Sequence, residues 1–309
     1  MSYLNLIVAL FISFLITLIL QHIFIKHSLF DAINHRSVHK SKATKIGGIS
    51  IFITLFIFSV FYYLKQDQIF DFSLLIPLGI MFIVGVYDDF YNADFKLKFL
   101  LQIIVAKILI DQGFVINNFH GIFGLDIIPN LASQLFTIFV FLVIVNSINF
   151  IDGIDGLAIT ETIKVILLIE LISVKATEIS AIGFLTVFCL LPLYYFNFKR
   201  ENKVFLGDAG SLLLGTLIAI YAIVLIGSDF KIQDAFMSNK AILSMAILIY
   251  PLFDLLRVFY IRIKNKKSPF RPDNNHIHHL LLKKGFNHFY ICLLIQLFSI
   301  LFLSLIFLL

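Results

Sequence analysis

Charge is scarce in this 309-residue chain: only 14% of the residues are Asp, Glu, Lys or Arg, while 60% are apolar. A soluble globular chain carries about a quarter charged residues. Cysteine is scarcer still. Cys189 and Cys292 both sit inside apolar stretches, which excludes a disulfide framework and any cysteine metal-ligand spacing. No basic residue precedes the first apolar stretch, which begins near Leu4. The charged leading region of a cleaved signal peptide is therefore missing, and the stretch reads as a retained first helix. No internal repeat, low-complexity tract or linker divides the sequence, so 1–309 reads as one integral membrane domain.

What the chain has instead is a series of apolar runs, each roughly 15–23 residues long, and about 20 such residues cross a bilayer as a helix. Lipid cannot satisfy backbone polar groups, so these runs imply helices rather than open strands. They fall at about 4–25, 48–64, 72–87, 97–110, 131–148, 157–174, 179–196, 210–227, 241–261 and 289–309. The expected fold is an all-α polytopic membrane protein of about ten transmembrane helices. Of the 24 Lys and Arg, seventeen lie in the odd-numbered connections and four in the even ones. The positive-inside rule then places the five odd loops in the cytoplasm and both termini outside.

Those five loops hold the residues suited to chemistry. The first, DAINHRSVHKSKATKIGG, carries Arg36 and Lys45 for an anion and a Gly pair for close backbone approach. The second, GVYDDFYNADFKLKFLLQ, opens on adjacent Asp88 and Asp89, followed by Asn92 and Lys98. Two carboxylates at a membrane boundary are costly unless paired or metal-bound. The third, NSINFIDGIDGLA, repeats Asn146, Asn149, Asp152 and Asp155 every three residues without a Lys or Arg. Its oxygens suit an Mg²⁺-type ion, and its spacing excludes an EF-hand. The fourth, FLGDAGS, sets Asp208 between glycines just before an apolar helix, where a phosphate or a capping carboxylate fits. The fifth combines basic residues with His276, His278 and His279. A cationic clamp for a diphosphate suits it better than zinc, which has no cysteine or HExxH here. Topology alone explains the lysines but not three clustered histidines.

Carboxylates for Mg²⁺ and cations for phosphate on one side of a membrane imply phosphoryl transfer between a cytoplasmic nucleotide and a membrane-borne partner. A membrane transporter of nucleotide-sugar or lipid-linked sugar is the alternative. It would place substrate near the midplane, whereas the acidic clusters here sit at helix ends on one side, with Glu161, Lys164 and Glu170 of the sixth run as the exceptions. Nothing points to nucleic acid as a partner.

At these motifs the chain resembles the polyprenyl-phosphate N-acetylhexosamine-1-phosphate transferases, a branch of glycosyltransferase family 4. The matching pieces are D-x4-R-x2-H-x7-GG from Asp31 to Gly48, GVYDDF with Lys98, NSINFIDGIDGLA, FLGDAGS and SPF-x-PD-x2-HIHH. The HIHH ending is similar to that of the GlcNAc-type branch. The resemblance implies a bacterial inner-membrane enzyme in which undecaprenyl phosphate attacks the β-phosphorus of a UDP-N-acetylhexosamine, UDP-GlcNAc by default, and UMP leaves. It implies Asn149 and Asp208 as ligands of Mg²⁺, with Mn²⁺ as a substitute. Asp88 would handle or orient the lipid phosphate, with Asp89 and Asn92 in support. Lys98, His276 and His278 would contact the diphosphate, and Asp152 and Asp155 would organise the nucleotide or metal shell. Arg36, Lys45, Asn146 and His279 complete the expected substrate set, and a homodimer stays open. Two departures stand out: the first loop has Ile33 and Thr44 where the family commonly has prolines, and Asn274 stands where Arg is frequent.

Overall fold

A computed structural model describes residues 3–31, 42–124, 126–236, 239–269 and 273–308. All ten apolar runs are helical. The first five helices are α1 (Tyr3–Lys26), α2 (Gly47–Leu64), α3 (Leu75–Tyr91, entered by a 3-10 turn), α4 (Phe95–Asp111) and α5 (Asn130–Ile151). They are followed by α6 (Leu157–Ile172), α7 (Ser180–Asn197), α8 (Gly207–Ile226), α9 (Lys240–Ile247) and α10 (Ile249–Lys264). A short α11 (Ile277–Lys283) and a terminal α12 (His288–Leu308) complete the chain.

Seven of these segments are long and apolar enough to cross a membrane, or eight if α9 and α10 form one span. The protein is therefore a polytopic helical membrane protein. Helices α4 and α6 have 17 and 16 residues, about 25 Å at 1.5 Å per residue, which falls short of a ~30 Å hydrocarbon core. The run expected as one helix over 241–261 is broken, with α9 and α10 meeting at 76°. Pro251 accounts for the break. It has no N–H for the carbonyl of Ile247, and its ring clashes there.

Helix α8 is the hub. It is apolar on every face and buried over nearly its whole length, as expected for a helix enclosed by others. It packs against α3, α5, α2, α6 and α9. Small residues bring its N-terminal end very close to two neighbours. A Cβ on Gly48 of α2 would lie 2.1 Å from the Gly210 nitrogen, and one on Gly85 of α3 would lie 2.3 Å from the Asp208 carbonyl oxygen. Backbone-to-backbone contact of this kind is how membrane helices pack without a hydrophobic driving force between them.

Two short strands, β1 (Ala43–Thr44) and β2 (Lys203–Val204), pair in parallel. They tie the end of the first loop to the fourth loop, just ahead of α8. Gly47 and Gly48 then donate their backbone N–H groups to the carbonyls of Phe205 and Leu206. The start of α2 and the start of α8 are thus held in register.

Candidate active site

The first turn of α8 gathers side chains from several loops. Asp89 of α3 accepts from the backbone N–H of Asp208 and of Ala209, 3.0 Å each. It caps α8 from a neighbouring helix and satisfies donors that a helix start leaves unpaired. Gly207 makes room for this cap. Its φ is +74°, and a Cβ there would lie 2.7 Å from the Asp89 carboxylate. Lys45 lies 3.7 Å from Asp89 and 3.0 Å from Asp31. Burial works against its charge, but the Asp31 hydrogen bond and the surrounding carboxylates outweigh that and raise its pKa.

The end of α5 meets the same turn. Asn149 donates its side-chain amide to Asp208 at 2.5 Å and to the Ser211 hydroxyl at 2.8 Å. Asn146, one turn earlier, donates to Gln102 of α4 at 2.8 Å. Helix α5 stops at Ile151, so the three-residue repeat does not continue on one face. Asp152 remains at the helix end, while Asp155 turns away to Lys203 of β2 and to His288 Nδ1, the latter at 2.8 Å. Burial raises the Asp155 pKa, but hydrogen bonds from His288 and Lys203 overcome it and hold the carboxyl below its ordinary range. Asp152 is the opposite case. Burial first, then the charges of Asp208, Asp89 and Asp155, push it well above that range.

Beside these groups lies a cavity of about 390 Å³. Asp88, Lys98, Asn146, Asn149, Asp152 and Asp208 line one side, and Arg262, Asp273, His276 and His279 the other. Asp88 is ion-paired to Lys98 and also accepts from the Ala93 N–H at 2.7 Å. Arg262 grips Asp273 through two bonds of 2.9 and 3.0 Å. Burial raises the Asp273 pKa, but those bonds and the Asn275 N–H bring it down to about 2. Burial, with His276 beside it, pushes His279 down to about 4, so it is neutral near pH 7.

The sequence-derived set therefore divides. Nine of its members border the cavity or cap its floor: Asp88, Asp89, Lys98, Asn146, Asn149, Asp152, Asp208, His276 and His279. Lys45 stands behind Asp89, and Asp155 is engaged with Lys203 and His288. His278 is fully buried behind His279 and does not line the cavity. Asn92 is exposed and ends α3 in the left-handed region, φ 53°, a common asparagine position. Arg36 lies outside the described residues. The sequence reading missed Gln102, Asp254, Arg262 and Asp273. A signal existed for Asp254 and Arg262, since a carboxylate and a guanidinium eight residues apart share one helix face.

The donors fit a hard divalent cation. Asn149 uses its NH₂ on Asp208 and Ser211, which leaves its amide oxygen over. Asp208, Asp152 and Asp88 add carboxylates, with Lys98 as the nearest cation. Among the described residues, no group of three His, Cys, Asp or Glu side chains is placed to hold a metal ion, so an Mg²⁺ here would need waters and substrate phosphates to complete its ligands.

These features gather carboxylates, amides and cations around one cavity at the ends of packed helices. The chain belongs to glycosyl transferase family 4, whose family profile matches residues 71–226. Among its relatives is the undecaprenyl-phosphate alpha-N-acetylglucosaminyl 1-phosphate transferase of Pasteurella multocida, 32% identical over 91% of this chain and 79% of the relative. The protein of the same name from Haemophilus influenzae is 31% identical over 83% of this chain and 72% of the relative. A probable undecaprenyl-phosphate N-acetylglucosaminyl 1-phosphate transferase of Bacillus subtilis is 28% identical over 96% of this chain and 81% of the relative.

Proposed function

We propose that this protein transfers N-acetylhexosamine-1-phosphate from a UDP-sugar, UDP-GlcNAc first among them, to undecaprenyl phosphate, as the first membrane step of a cell-envelope polysaccharide. The products are the undecaprenyl-diphosphate sugar and UMP. The names of the relatives support this reading. The observation that carries it is the cavity itself, with Asn149 and Asp208 on one wall and Lys98, Arg262 and His276 available to phosphate oxygens.

In the reaction an oxygen of the lipid phosphate bonds to the β-phosphorus of the donor. The bond from that phosphorus to the bridging oxygen breaks, and UMP leaves with the electron pair. A lipid phosphate is largely ionised near neutral pH, so no strong base is required. This suits Asp88, whose carboxylate is already held by Lys98 and the Ala93 N–H. Its role is to aim Lys98 into the cavity. Asn149 and Asp208 would hold Mg²⁺, with Mn²⁺ as a substitute, and the ion when bound neutralises charge on the diphosphate. Lys98, Arg262 and His276 neutralise the remainder as charge redistributes over the transferred phosphate.

The proposal includes ten crossings, with α4 and α6 among them and α9 and α10 forming one. Both termini lie outside, and the cavity opens to the cytoplasm of a bacterial inner membrane. The lysine and arginine excess in the cavity-side loops supports this orientation. A UMP-release assay tests the function, using purified protein, undecaprenyl phosphate and a panel of UDP-N-acetylhexosamines with Mg²⁺. Release of UMP dependent on both substrates is expected. Folded protein that releases none from any donor would overturn the reading.

A further inference from the structure

One face of α10 carries Tyr250, Asp254, Val258 and Arg262, all buried. The four-residue spacing stacks them turn upon turn. The three polar members engage the segment 273–278 in antiparallel order. Arg262 binds Asp273. Asp254 Oδ2 accepts from His276 Nδ1 at 2.7 Å, while its Oδ1 accepts from the Ile277 N–H at 2.9 Å. The Tyr250 hydroxyl lies 3.2 Å from His278 Nδ1. Both histidines therefore present Nδ1 to α10, His276 to Asp254 and His278 to Tyr250. His276 Nε2 lies 3.5 Å from Arg262 Nη2, on the cavity wall. His278 Nε2 is buried without a partner and faces Gly153, where a Cβ would come within 2.6 Å of it.

An ionised carboxylate only accepts hydrogen bonds. Against Asp254, His276 must carry its hydrogen on Nδ1 whether the ring is neutral or charged. The ring nitrogen left for the cavity is then always Nε2. The groups facing His276 are Asp254 from α10, Arg262 through Nη2, His278 and His279 from α11, and the Phe150 ring from α5. Asp254 is itself flanked by Arg257 at 3.1 Å.

We propose that α10 is the template on which the histidine segment is aligned, and that Asp254 is a positioning residue. It fixes His276 with its hydrogen on Nδ1, so that Nε2 is the nitrogen facing the diphosphate of the nucleotide-sugar and donates to it once the ring takes a second proton. This rests on the transferase reading for the ligand, but not for the tautomer. Asp254 also caps α11 through the Ile277 N–H, so its truncation would mix two effects. Asp254→Asn separates them. Its amide oxygen keeps the Ile277 bond, but its NH₂ faces Nδ1 and forces the proton to Nε2.

The test is ¹⁵N-histidine NMR of the full-length protein in detergent at pH 8, with His276→Gln used to assign the signal. UMP release is measured in parallel. In the unmodified protein, His276 is expected to show a protonated Nδ1 and a bare Nε2. In Asp254→Asn the pattern should invert, and kcat/KM should fall by about 10²-fold or more. An Nε2–H tautomer in the unmodified protein overturns the proposal. So does an Asp254→Asn enzyme within twofold of normal turnover, or one that loses turnover while keeping the original tautomer. If Asp254→Asn does not fold, the spectrum of the unmodified protein decides alone. The Nδ1–H pattern in a protein that releases no UMP from any donor would sink the transferase reading and leave the positioning intact.

Discussion

The Asn149 amide sits 2.5 Å from Asp208 Oδ1 and bridges the C-terminal end of α5 to the first turn of α8. That bond orients both oxygens proposed to meet the cation. Asp208→Asn is expected to cut UMP release by about 10²-fold or more, the usual scale for losing a group that stabilises developing charge. Asn149→Ala should mainly raise the Mg²⁺ concentration needed for half-maximal activity. A titration of UMP release with Mg²⁺ measures both. An Asn149→Ala enzyme with an unshifted Mg²⁺ requirement would remove Asn149 from the metal site.

The adjacent carboxylates Asp88 and Asp89 should separate by phenotype. Asp89 accepts two backbone N–H groups at the start of α8 and lies beside Lys45. Replacing a capping carboxylate by alanine costs about 1–2 kcal/mol. Asp89→Ala should therefore lower the melting temperature of the purified protein and lose activity through α8. Asp88→Asn frees Lys98 and should lose turnover with little change in melting. Thermal unfolding of the two variants side by side decides. A fully stable but inactive Asp89→Ala would show instead that Asp89 acts in the chemistry.

Much of this site could be read from the sequence, because apolar run length is a strong signal and the acidic motifs sit at run ends. The ten helical segments follow from that alone. What could not be read was which face each polar group takes. Asn146, Asn149 and Asp152 hold the expected series, but α5 ends at Ile151 and frees Asp155 for Lys203 and His288. The parallel pairing of Ala43 with Lys203 joins positions 160 residues apart through only two residues per strand, too little to leave a pattern. Asp254 was hidden for another reason. In the sequence it reads as one half of an i,i+3 pair with Arg257 on α10, and its second partner, His276, lies 22 residues further on.

Acidification should destabilise the protein through its neutral histidines. Burial and the neighbouring histidines push His278 well below its ordinary pKa, and burial with His276 brings His279 to about 4. The unfolded chain binds those protons near pH 6.5, so between about pH 6.5 and 4 it holds more protons than the folded one. Stability then rises with pH across that window and is lost as pH falls through it. His279→Gln removes one such group. The drop in melting temperature between pH 7 and pH 5 should be smaller in that variant than in the unmodified protein. An unchanged or steeper drop would mean that His279 is charged in the folded state.

The ion pair of Glu161 and Lys164 lies within α6, where it touches no cavity residue. Lys164 Nζ is 2.6 Å from Glu161 Oε1, and Gln296 of α12 donates to Glu161 Oε2 at 3.1 Å. The other Gln296 atom, Oε1, is buried without a partner. The two charges withdrawn from water are compensated chiefly by each other, with the Gln296 amide adding one hydrogen bond to Glu161. Breaking such a pair costs about 3–5 kcal/mol, while replacing both members by apolar residues is often neutral or stabilising. Lys164→Met and Glu161→Leu should each lower the melting temperature sharply, and the double variant should recover most of the loss. A double-mutant cycle on purified protein measures the coupling. Loss in the double equal to the sum of the singles would mean that the charges do not pair in the folded protein. If the double is stable and turns over normally, the pair serves only to clip α6 to α12. A stable but inactive double would instead connect it to the reaction, through the Thr160 and Cys292 contacts that lead from Gln296 back to the Asp155 carbonyl.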